Sequence, residues 1–361
     1  VQFSVTERQT AKRCPRAHRL SSKGGQHLGL IVPPVYLSVG SLIHKGSQMW
    51  LLDTERTTSY EAHVTEAASN LIESSRARYL RQIGAPISED EEAPLWEAMD
   101  YARIMARNYE IRWGTPLPED YTLIRPEQRV VVPVPGTEHE CERCGFGSPS
   151  GRGSGLEPDA RGLPTDLFCS MCNGEGVQLH HLDGRFDGLI VDRGGRIHIL
   201  EHKTYKSRPN IDGLKTNDQF LAYMWLAMQL DIGDVAGVAY DGLWRRDTVP
   251  RGKSFEDLFY RVTITRSLAE LREFQAQLPN ELNFMYNQLK APTDPWINRR
   301  WQGCYDCPFA SKTLKNGTTR TGLCDAISRG EDVKSVKTLY YTERNDDVDE
   351  AVELDTEDAA A

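Results

Sequence analysis

Hydrophobic positions along this chain keep two different rhythms. Over residues 36–113 apolar side chains recur at helical spacing, broken by turn signals at Gly84-Ala85-Pro86, so this stretch is predicted to be mainly helical. Gly40-Ser41-Leu42-Ile43-His44 opens a helical pattern within it. Val130–Val134 reads as a strand. A hairpin is expected from about Gln178 to Thr204, because Gly188–Leu200 is rich in Ile, Leu and Val around a central Arg193-Gly194-Gly195. Beyond it the pattern gives a helix over about Asp218–Leu230, strands at Val235–Trp244 and Phe259–Thr265, and a helix over Ser267–Leu289. Strands interleaved with helices behind a helical N-terminal portion predict an α/β fold, with a mixed central sheet flanked by helices.

The hairpin's turn decides which side chains share a face, since alternate residues of a strand point to opposite sides. A two-residue Gly194-Gly195 loop would set Asp187 opposite His202 and leave Glu201 on the other face. A three-residue loop, Arg193–Gly195, sets Asp187 opposite Glu201. Such loops commonly end in a left-handed residue, and Gly195 suits that place, so the three-residue loop is expected. On this register Asp187, Glu201 and Lys203 point the same way.

Two carboxylates this close repel each other unless a cation sits between them. Oxygen ligands favour a hard ion such as Mg²⁺ or Mn²⁺. An ion of that kind polarises a scissile phosphate and generates hydroxide from water. Lys203 would orient that water or offset charge developing on the phosphate. The bland alternative is a surface hairpin whose Glu201 and Lys203 form a weak same-face ion pair. Gln219 and Tyr223 stand four apart on one helix face, where an amide and a phenol contact a phosphate or stack a base. Against that, Tyr223 is equally a core aromatic. His44 is a candidate third metal ligand, although a lone histidine is more often structural.

Taken together, these residues resemble the RecB-type nuclease family of the PD-(D/E)xK superfamily, and most closely the CRISPR-associated RecB-like exonucleases and their phage-encoded relatives. The family's helix histidine matches His44 and its Gly-x-x-Asp element matches Gly184 to Asp187. Its Asp/Glu-x-Lys matches Glu201 to Lys203, and its Gln-x-x-x-Tyr box matches Gln219 to Tyr223. Glu127, just before the Val130–Val134 run, falls where the family has an upstream acid. The opening Cys-Pro matches Cys14-Pro15, and the C-terminal cysteines match Cys304, Cys307 and Cys324. The resemblance implies that His44, Asp187 and Glu201 bind the catalytic Mn²⁺ or Mg²⁺ and that the four cysteines hold an iron–sulfur cluster. It also implies a preference for single-stranded ends of DNA. The chain departs from the family in two ways. Sixteen residues separate Cys307 from Cys324 where the family has a few, and a cysteine-bearing insert precedes Asp187.

That insert carries its own signal. Cys141-x-x-Cys144 and Cys169-x-x-Cys172, with 24 residues between the halves, form a paired-knuckle pattern for structural Zn²⁺. Gly145–Pro164 within it is rich in Gly, Ser and Pro and holds too little apolar surface to organise itself without a metal. Cys14, Cys304, Cys307 and Cys324 make a second set of four, which spacing alone leaves open between zinc and iron–sulfur. The resemblance selects a 4Fe–4S cluster that staples the ends of the domain together. Thiolate sites of this type suit a reducing cytoplasm, expected here to be that of a bacterial or phage-infected cell. No apolar run approaches membrane-spanning length, and there is no secretory signal core at the N-terminus.

A net charge of −9 at first argues against a nucleic-acid partner. Asp346–Ala361 holds eight acids and no Lys or Arg, however, which leaves the rest of the chain near neutral. A basic groove is therefore still expected from Lys203, Lys206, Arg208 and Lys215, with Arg245, Arg246, Arg299 and Arg300 further on. The hydrophobic fraction of 39% supports a sizeable core. The expected organisation is one nuclease domain over 1–345, with a helical portion at about 36–113 and a zinc-binding insert at about 136–177. The catalytic core then spans about 178–290, a Cys-rich piece about 296–330, and residues 346–361 form an acidic disordered tail.

The expected activity is that of a Mg²⁺/Mn²⁺-dependent DNA exonuclease. Asp187, Glu201 and His44 would hold the metal, Lys203 serve the attacking water, and Gln219 and Tyr223 hold the strand. Recombination, replication or repair partners fit that activity. The competing expectations are a catalytically silent, metal-stapled DNA-binding module and a zinc-ribbon protein that binds RNA or another protein.

Overall fold

A computed structural model describes residues 1–33, 35–115, 117–140, 177–206, 211–246, 248–292, 307–313, 319–320, 322–329 and 333–343. The chain begins with a short strand β1 (Gln2–Ser4), helices α1 (Val5–Arg13) and α2 (Pro15–Ser21), and strand β2 (Leu28–Leu30). Three long helices follow: α3 (Val35–Leu52), α4 (Tyr60–Ile83) and α5 (Glu89–Trp113). Next come β3 (Tyr121–Pro133), the short β4 (His139–Glu140) and β5 (Val177–Gln178), and the hairpin β6 (His181–Asp192) and β7 (Ile197–Tyr205). A short α6 (Ile211–Lys215) leads to α7 (Asp218–Met228), β8 (Val235–Trp244), β9 (Phe259–Ile264) and α8 (Leu268–Lys290).

The helical rhythm of residues 36–113 resolves into α3–α5, and local chemistry sets their ends. The Ser59 side chain caps α4, which stops at Gly84 in the left-handed region (φ 77°). Ser88 and Glu91 form a capping box at the start of α5, and Gly114 (φ 62°) ends it. The turn signalled at Gly84-Ala85-Pro86 is the joint between the two.

The central sheet runs β1-β6-β7-β8-β9, with β3 on the other edge of β6. It is mixed: β7–β8 and β1–β6 are parallel, while β3–β6, β6–β7 and β8–β9 are antiparallel. Alternation along the strands sends side chains into two helical layers. Ile197, Ile199, Val238 and Tyr240 pack with α7, α8 and α1 on one face. On the other face, Leu243 and Phe259 join the core of α3–α5, while Leu200 and Ala239 pack with Leu51 of α3. The mixed α/β architecture expected from the pattern is the one found.

β3 is longer than the expected Val130–Val134 strand and includes Pro126. Its register against β6 shifts between Leu123 and Arg125, and a proline lacking an amide donor is tolerated beside such an irregularity. In its first half no side chain is fully buried, and Arg125, Pro126 and Glu127 interrupt the apolar run, so no strong alternation marks it.

The two ends of the described chain meet. Tyr341–Glu343 pairs antiparallel with β2, and Cys14, Cys307 and Cys324 gather around one apolar cluster with Leu28, Phe309 and Tyr341. Burial pushes the Cys324 thiol up to about 11, reinforced by the neighbouring Cys307 and Cys14. Cys304 lies outside the described residues, as do Cys141, Cys144, Cys169 and Cys172 of the expected zinc insert. Arg208, Arg299, Arg300 and the acidic tail lie outside them too.

His18 on α2 is fully buried, and burial lowers its pKa to about 4. In the unfolded chain it titrates near its ordinary 6.5. As pH falls through that value the unfolded state takes up a proton that the folded state refuses. The contribution is complete above about pH 7, declines toward about pH 4, and amounts to on the order of 3 kcal/mol. Thermal unfolding measured across this range should show a shallower acid loss in His18→Leu than in the parent chain.

Candidate active site

The sheet forks at the expected acids. The β6–β7 ladder runs from Val191↔Ile197 to Gly188↔Leu200 and stops there. Its turn is the three-residue loop Arg193–Gly195, closed by bonds between Asp192 and Arg196, with Gly195 at φ 77°. Continuing this register sets Asp187 opposite Glu201, on the face that sequence parity required. Beyond that point β6 takes β1 as its neighbour at His181–Asp183, while β7 goes on against β8 to Tyr205. Asp187 and Glu201 therefore stand at the mouth of the split between two strands.

The split frees backbone groups, and Asp187 takes one of them. Its Oδ2 accepts the His202 backbone N–H at 2.6 Å, and its Oδ1 lies 2.8 Å from His44 Nδ1 on α3. Burial would raise the Asp187 carboxyl. The positive His44 and the His202 hydrogen bond outweigh it and hold the group well below the usual carboxylate range. Glu201 is only 1% exposed, and burial pushes its carboxyl up, with Asp187 adding to the rise and Lys203 opposing it. Lys203 Nζ sits 2.5 Å from Glu201 Oε1; burial alone would lower the ammonium's pKa, but Glu201 more than reverses that. His44 behaves likewise: burial lowers it, and Asp187 raises it further.

The helix after the hairpin turns the same way. Gln219 Nε2 donates to Glu201 Oε1 at 3.3 Å and to Tyr223 Oη at 2.7 Å. Both side chains are buried, so the Gln-x-x-x-Tyr pair faces the acid rather than open solvent. Burial, Glu201 and Asp187 keep Tyr223 a neutral phenol. α7 approaches β6 closely enough that Gly184 is required there: a Cβ would lie 2.4 Å from Leu226 Cδ1 and 3.5 Å from Tyr223 Cδ1. Glu127 falls opposite Asp187 in the β3–β6 register, between Pro126↔Gly188 and Gln128↔Phe186. Its carboxylate forms an ion pair with Arg185 at 2.9 Å.

The structure thus brings His44, Asp187, Glu201, Lys203, Gln219 and Tyr223 to one place. Sequence reasoning did not anticipate the His202 amide as a partner of Asp187, because a backbone donor leaves no residue signature. Two carboxylates and an imidazole suit a hard divalent ion. Among the described residues, no three His, Cys, Asp or Glu side chains are gathered as a coordination shell. Each acid instead faces a base, Asp187 toward His44 and Glu201 toward Lys203. His44 and the His202 amide hold Asp187 ionised, whereas burial pushes the Glu201 carboxyl up.

The model of the PD-(D/E)XK nuclease superfamily matches residues 2–311, and the chain belongs to that superfamily. Its members are typically metal-dependent nucleases that use Mg²⁺ or Mn²⁺ and act on DNA. No curated protein matches the chain. A solved structure titled "Crystal structure of SSO0001" aligns at 12% identity with a TM-score of 0.29, covering 77% of this chain and 95% of that one. No described helix is long and apolar enough to cross a membrane.

Proposed function

We propose that this chain is a divalent-metal-dependent DNA exonuclease acting on single-stranded ends. The observation that carries the reading is the fork in the sheet, where two acids of opposite electrostatic character meet beside a lysine. Asp187 and Glu201, with His44, would hold Mg²⁺ or Mn²⁺, and the ion supplies Lewis-acid activation of the phosphate and of the attacking water. Lys203 places a positive charge where charge builds up on the phosphate oxygens. Gln219 orients the Glu201 carboxylate through its amide, and Tyr223 fixes Gln219 in turn. The His202 N–H holds Asp187 ionised and aimed into the fork.

Cys14, Cys304, Cys307 and Cys324 would ligate a 4Fe–4S cluster as a staple between the chain's two ends. Cys14, Cys307 and Cys324 pack against one apolar cluster, and the iron–sulfur assignment itself rests on the family resemblance. Cys141, Cys144, Cys169 and Cys172 would hold Zn²⁺, on the strength of their spacing alone.

The test pairs metal analysis of anaerobically purified protein with digestion of end-labelled single-stranded oligonucleotides. Mn²⁺-dependent release of short products, with iron and a broad absorbance from thiolate-ligated clusters, is expected. Binding without any digestion in Mg²⁺ or Mn²⁺ would make the chain a silent DNA-binding module instead. Zinc without iron would remove the cluster and leave the nuclease standing.

A further inference from the structure

A cavity of about 420 Å³ opens beside the fork, between the start of α1 and the strands β3 and β6. Tyr223 and Gly184 form its wall toward the acids, and Tyr223 is the residue that fixes Gln219 against Glu201. Along β6, Arg185 of the cavity lies two residues from Asp187. At about 3.3 Å per residue this is about 7 Å.

The lining has the character of a nucleotide site. Gln2, Thr6, Thr10 and Ser21 present amide and hydroxyl groups, while Lys23, Arg129 and Arg185 bring positive charge against Glu7 and Asp183 of the lining and against Glu127, which pairs with Arg185 at 2.9 Å. Asp183 is already engaged, by Arg129 at 3.2 Å and by Gln2 at 2.8 Å, so its charge is largely offset within the wall. Arg129 and Arg185 are both about two-fifths exposed, as guanidinium groups that meet a phosphate at a pocket mouth must be. The volume falls within the ~300–1,000 Å³ typical of small-ligand pockets.

We infer that this cavity is a subsite for one unpaired nucleotide of the substrate strand, close to the bond that is cut. The inference rests on the nuclease reading and deepens it. A base can enter such a pocket only after leaving its stack and its partner, so the subsite selects single strands over duplex. Polar neutral groups receive the base and sugar, and the two arginines receive the flanking phosphates.

The experiment uses the full-length protein carrying Glu201→Gln, so that binding is read without turnover. Thr10, a half-buried residue of α1 whose hydroxyl bonds the Thr6 carbonyl, is replaced by Trp to fill the cavity. Fluorescence anisotropy of a short single-stranded DNA should show affinity about tenfold weaker in Thr10→Trp. Blunt duplex of the same sequence should bind the two proteins alike. Arg185→Ala, at a surface ion pair, provides a second variant and should weaken single-strand binding by several-fold. Circular dichroism identifies any variant that has lost its fold, and the remaining variant then carries the test. Equal single-strand affinity with and without the blocking tryptophan overturns the subsite, as does equal weakening of single strand and duplex. Failure of the nuclease reading would appear separately, as absence of Mn²⁺-dependent digestion by the parent chain.

Discussion

Glu201→Gln should lower the rate of phosphodiester cleavage by about 10³-fold or more while leaving the melting temperature close to that of the parent. The loss is the value of one preorganised charge at the reacting phosphate, for which removal of a single stabilising group costs about 10²–10³-fold. Loss of the negative charge that the proposed divalent ion would require adds to it. The fold is spared because the amide keeps the carboxylate's shape and still meets Gln219 and Lys203. Glu201 is buried to 1% exposure and its ionised form is disfavoured there, so neutralising it removes a desolvation cost along with an ion pair. Lys203 loses its partner but is about one-third exposed and can be hydrated. Lys203→Met should be similarly inactive for a different reason, since Glu201 would then lose the one ammonium that favours its charged form. Cleavage by either variant within tenfold of the parent rate would contradict the assignment of these residues.

Arg261→Leu should cost about 3–5 kcal/mol of stability, the largest single-residue loss expected outside the hydrophobic core. Arg261 of β9 donates from Nε to Asp241 Oδ2 of β8 at 2.9 Å, and both meet the Tyr109 hydroxyl of α5. Asp241 is 1% exposed, and its other oxygen, Oδ1, has no hydrogen-bond partner. Without the guanidinium this carboxylate would be buried with only a phenol to face it. Arg261 also lies over the Trp113 and Tyr109 rings, so packing is lost with the charge. Chemical denaturation should read the loss, and Asp241→Asn combined with Arg261→Leu should be less destabilised than the two single effects summed. Additive effects would mean that the pair is not coupled.

The network also bears on the site, because the Tyr109 ring stands edge-on to His202 (6.4 Å between centroids), whose backbone amide anchors Asp187. Stability on the α5 face and alignment at the fork are therefore linked through a single residue. Nothing in the local sequence marks Asp241 as its keystone. It sits in a strand buried on both faces, like its neighbours, and its partners come from 20 and 132 residues away.

Periodicity, turn chemistry and helix capping act over a few residues, and they wrote most of the elements legibly. The hairpin register is the clearest case. One glycine able to adopt a positive φ, together with side-chain parity, was sufficient to set the register that ends at Gly188 opposite Leu200, one pair short of the two acids. The helix α8 follows from amphipathic spacing in the same way, and β8 from a short, mostly apolar run that is buried on both faces. Elements too short or too exposed to carry a rhythm stayed hidden. β1 has three residues, and the first half of β3 has charged and half-exposed positions around a proline.

What only the tertiary structure decided is the fork itself. Its mouth exists because a segment some 180 positions earlier slides in beside β6 in parallel, just where β7 leaves it. His44 and the Gln219–Tyr223 pair reach the acids because helices from opposite layers converge there. Pairings of that separation are paid for in loop entropy and decided by the packing of whole layers, so no window of sequence contains them. The order of residues determined which groups could do this chemistry. Folding determined that they would meet.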